Sequence, residues 1–132
     1  SASLVGSEMC IRDRSYLLIT HNLSVVRHMA HAIGVMYLGR LVEIRATRPL
    51  FEAPLHPYTR LLMETVPRLT RRHREAEVAA GEVPDPVHPP SGCAFHPRCP
   101  LANERCRQSL PAPRAVPGGQ VACHAVEEGR MP

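Results

Sequence analysis

The chain has 132 residues, a formal net charge of +4 and an ordinary apolar share of 44%, but only 4% aromatics and no tryptophan. That length suits one small domain or a piece of a larger one, and no apolar run approaches the roughly 20 residues that a membrane-crossing helix needs. Residues 1–14, SASLVGSEMCIRDR, lack the basic start and apolar core of a secretion signal.

In chain order, residues 15–20, SYLLIT, form a short apolar, β-branched run that predicts a buried strand. It runs into Thr20-His21-Asn22 and then LSVVRHMAHAI, where Leu23, Val26, Met29, Ala30 and Ile33 recur at helical spacing. Asn22 suits the cap of that helix. GVMYLGRLVEI places two apolar runs around Gly39-Arg40 and predicts a tight hairpin. TRPLFEAP reads as a short helical turn with Pro49 at an early position. HPYTRLLMETVP puts Tyr58, Leu61, Leu62 and Thr65 on one helical face, closed by Pro67.

The predicted class is α/β. A strand that ends in a polar pair before a helix is how such proteins build sites at strand ends, although periodicity alone makes His21 a structural loop histidine. One strand, one helix and one hairpin cannot cover both faces of a parallel sheet, so the fold is expected to be truncated, with strands missing upstream. Beyond Val66 the chain turns irregular: ten of its fourteen prolines lie from Pro84 onward. The basic run RLTRRHRE at 68–75 has no interleaved aromatics and no nucleic-acid fold signature beside it, so it reads as a solvated face and no nucleic-acid partner is expected.

Four of the five cysteines fall in this irregular part. Cys93, Cys99, Cys106 and Cys123 are spaced by five, six and sixteen intervening residues. Disulfides suit small secreted chains, and no secretion signal is present. Zinc sites more often show Cys-x-x-Cys knuckles, though His96 and His124 stand near as alternative ligands. An iron–sulfur cluster takes four thiolates with looser spacing. Spacing leaves these readings and free thiols open. Metal–thiolate bonds would shape a tail that has little apolar surface of its own, and Arg98, Arg105 and Arg107 are candidates to offset thiolate charge.

LLITHNLSVVRHMAHAIGVMYLGRLVEI, LFEAPLHPYTRLLMETVP, PPSGCAFHPRCPLANERC and VACH together resemble the carboxyl-terminal portion of ATP-binding subunits of dipeptide and oligopeptide ABC importers, with nickel and glutathione importers of the same group. The likeness spans roughly Tyr16 to His124. HPYTRLL and PPSGC-x-FHPRCP are specific to the group, whereas strand-Thr-His-Asn-Leu is found in ABC ATPases generally.

The resemblance implies an ABC-type nucleotide-binding domain truncated to its end at residues 15–66, a basic, proline-rich linker at 67–90, a four-cysteine extension at 91–126 and a tail at 127–132. It implies that His21 is the catalytic histidine that reaches the ATP γ-phosphate, and that Cys93, Cys99, Cys106 and Cys123 hold a 4Fe-4S cluster, with zinc as the alternative. The complete protein would use ATP and magnesium, pair with a second ATP-binding subunit and drive two transmembrane permease subunits, served indirectly by an external solute-binding protein. It would sit peripherally at the cytoplasmic face of the bacterial inner membrane. Specificity for the solute would reside in the binding protein and permease.

The departures are large. The phosphate loop, the Gln loop, the signature LSGGQ and the magnesium-binding acidic pair are missing from these residues. The expectation is therefore a fragment of an ATPase that neither binds ATP well nor hydrolyses it. Residues 1–14 depart from the family pattern and read as a foreign, adapter-like leader, which leaves Cys10 without a role. A second reading is a small metal-binding docking module without catalysis. A third, weaker one is a nucleic-acid binder built on the 68–75 run and a zinc site.

Overall fold

The computed structural model describes residues 15–64 and 84–131. The expected leader with Cys10, Thr65 of the expected helical face, Pro67 expected to close it, the basic run at 68–75 and most of the expected linker lie outside the described residues. The elements are α1 (Leu23–Met29), β1 (Ala32–Tyr37), β2 (Arg40–Ala46), α2 (Thr47–Glu52), α3 (Pro57–Glu64), a 3-10 turn (His96–Arg98), α4 (Glu104–Gln108), β3 (Arg114–Val116), β4 (Gly119–Val121) and α5 (His124–Glu127). No helix among the described residues is long and apolar enough to cross a membrane.

Asn22 caps α1 as its sequence position predicts. Its Oδ1 accepts the backbone N–H groups of Ser24 and Val25 at 3.1 and 3.2 Å, which satisfies two of the helix's orphan donors. The helix stops at Met29, because Ala30 is already extended. Ile33, expected on the helical face, instead opens the buried face of β1 with Val35 and Tyr37. The period of two from Ile33 onward overrides the helical period before it.

β1 turns into β2 through Leu38 and Gly39, with φ of 44° and 76°. Two positive φ values in a two-residue loop match the strand twist of a hairpin. The turn lies one residue ahead of the expected Gly39-Arg40. The ladder runs from Ala32↔Ala46 to Tyr37↔Arg40, with a register shift between Val35 and Met36 that leaves Val42 as the extra residue on β2.

The expected strand at residues 15–20 is not formed. The segment has no regular structure, and Leu17 and Ile19 are both 90% exposed. A strand is held by its neighbours, and no described strand pairs with this one: the sheet order is β1-β2-β4-β3, antiparallel throughout. The α/β expectation thus holds as helices with a sheet, whereas the parallel pairing that it assumed is absent among the described residues.

The cysteine-bearing part was expected to be irregular and coreless, and the described residues correct both points. β4 adds to the free side of β2, with Glu43↔Val121, Ile44↔Gln120 and Arg45↔Gly119. β3 precedes it, and the chain turns at Pro117-Gly118 to bring β4 back alongside β3. Val121, Cys123 and Ala125 form a small buried cluster, joined by Leu55, Leu101, Val116, Val126 and Met131. These residues are scattered in sequence, and only the pairing of β4 with β2 assembles them.

The larger cluster holds Ile33, Val35, Leu50 and Met63, with Leu23, Val26, Phe51, Tyr58 and Leu62 packed around it. In α3 the buried side chains are Pro57, Thr59 and Met63, while Tyr58, Leu61 and Leu62 are half-buried. Phe95 ties the two parts together. It is 2% exposed, and its ring lies 5.2 Å from Tyr37, 5.5 Å from Tyr58 and 5.9 Å from His56, centroid to centroid. HPYTRLL and FHPRC therefore pack on one another through an aromatic contact.

Candidate metal centre

Each of the four cysteines in the carboxyl-terminal part stands at a defined point of a short element. Cys93 precedes the 3-10 turn, and Cys99 ends it, with its N–H on the His96 carbonyl at 3.3 Å. Cys106 lies in α4, whose cap Asn103 accepts the Cys106 N–H at 3.1 Å. Cys123 ends the β4 excursion at the cap of α5. The Cys93 N–H donates to the Cys106 carbonyl at 2.8 Å, which fixes two of the cysteines directly to one another. Gly92 permits that approach: a Cβ there would run into the Cys106 carbonyl oxygen, and its φ is +68°.

All four are free thiols, so the disulfide reading does not hold in this structure. Burial pushes the thiols of Cys93 and Cys123 up, and that of Cys99 to about 11. The four thiols sense one another: Cys106, Cys93 and Cys123 each raise Cys99, and Cys106 raises both Cys93 and Cys123. Opposing this, backbone N–H groups bond to the sulfurs, from Phe95 and His96 at Cys93, Leu101 at Cys99, and Ala125 and Val126 at Cys123. Amides aimed at sulfur stabilise thiolate, while burial and mutual repulsion oppose its formation unless a cation is present.

Among the described residues, no three His, Cys, Asp or Glu side chains are arranged to hold a single metal ion. The donor set nonetheless fits a thiolate-bound centre in its chemistry: four unlinked thiols within electrostatic reach of one another, three of them served by backbone donors. The two histidines considered as substitute ligands are engaged elsewhere. His96 Nδ1 lies 2.9 Å from the Cys93 carbonyl. His124 Nε2 lies 2.9 Å from the Ser109 carbonyl, and its buried Nδ1 stands 3.6 Å from Glu127, too long for a hydrogen bond.

The arginines sort differently from the expectation. Arg105 forks onto Glu127 and Glu128 at 3.0 and 3.1 Å, and Arg107 pairs with Glu104 at 3.3 Å. Arg98 buries its Nε without a hydrogen bond. Arg130, which the sequence reading did not single out, brings its Nη2 to 4.0 Å from the Cys106 sulfur. The structure thus groups the four cysteines and adds Arg130. His21 belongs to a separate segment, exposed in the bend before α1.

A second constellation joins the regions. Glu43 and Arg45 occupy the buried face of β2, 1% and 5% exposed. Arg45 reaches Glu43 at 3.4 Å, the Ala53 carbonyl at 2.7 Å and the Pro117 carbonyl at 3.1 Å. The Glu43 carboxylate also accepts the N–H groups of Leu55 and His56. Sequence reasoning missed this pair, although their alternation with Val42 and Ile44 was a signal.

Residues 42–106 match the family described as oligopeptide/dipeptide transporter, C-terminal region. Over those residues, just under half of its length, the chain is similar to that family. It is 49% identical over 86% of its length to the di/tripeptide transport ATP-binding protein DppF of Pseudomonas aeruginosa, covering 36% of that protein. Its identity to the oligopeptide transport ATP-binding protein AppF of Bacillus subtilis is 46%, over 83% of this chain and 35% of that one. The dipeptide transport ATP-binding protein DppF of Haemophilus influenzae is 44% identical over 96% of this chain and 40% of its own. The chain thus spans a little over a third of the length of these relatives. The family match runs from β2 into α4, so it contains the Glu43–Arg45 pair, HPYTRLL and three of the four grouped cysteines.

Proposed function

We propose that this chain is the carboxyl-terminal part of the ATP-binding subunit of a peptide importer, a subunit that couples ATP binding and hydrolysis to solute uptake. The observation that carries this reading is the 49% identity to a di/tripeptide transport ATP-binding protein over 86% of the chain. In the complete protein a second such subunit would close with it over ATP and magnesium, two permease subunits would move in response, and an external binding protein would deliver the peptide. The assembly would hold the chain peripherally at the cytoplasmic face of the inner membrane.

His21 is the residue proposed to contact the γ-phosphate. Phosphoryl transfer depends mainly on positioning and charge stabilisation, so an exposed imidazole one residue before the cap of a helix suits the task. The test is His21→Ala in the complete subunit assembled with its permease. ATP-driven peptide uptake should fall by at least tenfold with nucleotide binding retained, and unchanged uptake would overturn the assignment.

Cys93, Cys99, Cys106 and Cys123 are proposed to hold a 4Fe-4S cluster, with zinc as the competing occupant. Four mutually sensing thiols and their backbone donors support a thiolate-bound group. A bound cluster would supply a cationic core that offsets the thiolates and would fasten the loop, helix and strand end that carry them. Anaerobic reconstitution followed by iron and sulfide analysis tests this, and Cys106→Ser should lower both. A small docking module without catalysis is the second reading, favoured by the same cysteines. It predicts that partner binding survives His21→Ala and is lost with Cys106→Ser.

A further inference from the structure

The end of α5 is built to return the chain toward the thiols. Gly129 has φ of +66°. Its N–H donates to the Val126 carbonyl at 3.2 Å, and the next N–H, that of Arg130, donates to the Ala125 carbonyl at 2.8 Å. This paired 5→2 and 6→1 closure is a Schellman cap, which needs the left-handed residue that glycine supplies. A helix of four residues closed so sharply sets the next side chain back across its own neighbours.

That side chain is Arg130. Its Nη2 lies 4.0 Å from the Cys106 sulfur, its Nη1 donates to the Leu101 carbonyl, and its Nε meets Glu128 at 2.5 Å. Leu101 is also the residue whose N–H bonds to the Cys99 sulfur. One guanidinium therefore holds the Cys99 loop by its backbone and faces the Cys106 sulfur, while its own stem follows directly from the helix that Cys123 caps. The surrounding charges leave it in surplus. Arg105, Arg114 and Arg130 share two carboxylates: Glu127 takes Arg105 and Arg114, and Glu128 takes Arg105 and Arg130. Three guanidinium groups over two carboxylates place a net positive charge beside the thiols.

We infer that Arg130 is a positioning residue for the proposed thiolate centre, fixing the Cys99 and Cys106 arms and balancing their negative charge. This rests on the cluster reading above. A guanidinium beside a cluster ligand favours the more negative, reduced state and so raises the reduction potential.

The experiment uses the 132-residue chain, reconstituted anaerobically with iron and sulfide. Wild type should take up both, Arg130→Met should show a lower reduction potential and lose iron to a chelator several-fold faster, and Arg130→Lys should restore most of the potential. Glu128→Gln, which frees Arg130 of its counter-charge, should move the potential the opposite way and serves if Arg130→Met does not fold. A wild-type chain that takes up no iron and sulfide overturns the cluster reading. A loaded wild type whose potential is unmoved by Arg130→Met or by Glu128→Gln overturns the role of Arg130 alone. A purely structural clamp would change chelator release in both Arg130 variants and leave the potential in place.

Discussion

The buried carboxylate of Glu43 accepts the backbone N–H of His56 at 2.9 Å, so β2 holds the entry to α3 across thirteen residues of chain. The same carboxylate takes the Leu55 N–H at 3.1 Å and the Arg45 guanidinium at 3.4 Å. Removing it strands a buried cation and two buried donors. Breaking such a pair from one side costs roughly 3–5 kcal/mol. Glu43→Ala is expected to lower stability by that order in urea unfolding, with Glu43→Gln losing less. Loss below about 1 kcal/mol for the alanine variant would show that the network is not holding α3.

His56 itself sets a pH dependence. Burial lowers its pKa from 6.5 to about 4. Its Nδ1 accepts the Tyr58 N–H at 3.1 Å, its ring faces Phe95, and the charge nearest its backbone is the Glu43 carboxylate. The unfolded chain binds a proton below about pH 6.5, whereas the folded chain does so only near pH 4. Stability from this group is thus complete above pH 6.5 and is lost as pH falls towards 4, by on the order of 3 kcal/mol. Urea titrations across that window should show the slope, and His56→Gln should flatten it. An equal slope in the variant would assign the effect to other groups.

Phe95 is the residue on which the two motifs meet. Phe95→Ala removes a buried aromatic packed on Tyr37, Tyr58 and His56, at a cost of about 3–5 kcal/mol. Hydrogen exchange is expected to rise first at the Cys93 N–H, which bonds to the Cys106 carbonyl. Exchange confined to α1 would place the weak point elsewhere.

The metal-free chain offers a further check. Burial and the neighbouring thiols hold Cys99 at about 11, so little thiolate exists at neutral pH. Alkylation of Cys99 by iodoacetamide should be at least tenfold slower in the folded chain than in urea at pH 8, read by peptide mass spectrometry. Equal rates would show that the thiol is not shielded.

The local signals were legible where they were strong. Asn22 before an apolar-periodic run, the two apolar runs around Gly39-Arg40, and the helical spacing of Tyr58, Leu61 and Leu62 each yielded their element, whereas Ile33, read with the helix, belongs to β1. The segment at 15–20 misled because an apolar β-branched run reports strand propensity, while forming a strand requires a partner that its own residues do not encode. β3 and β4 are three residues each inside a proline-rich stretch, too short for any period to register. The four cysteines were visible from type and spacing. Arg130 was not, because its place follows from a four-residue helix and the reversal at Gly129, and neither is evident before the fold is known.

The seam between β2 and β4 makes the chain indivisible in a particular sense. Severing the polypeptide between residues 64 and 84 would leave the Glu43↔Val121 ladder, the Arg45 contact to Pro117 and the Phe95 ring in place. The two pieces would remain one folded body in the absence of a covalent link, each serving as template for the other. Separately expressed halves should therefore find one another and associate in solution.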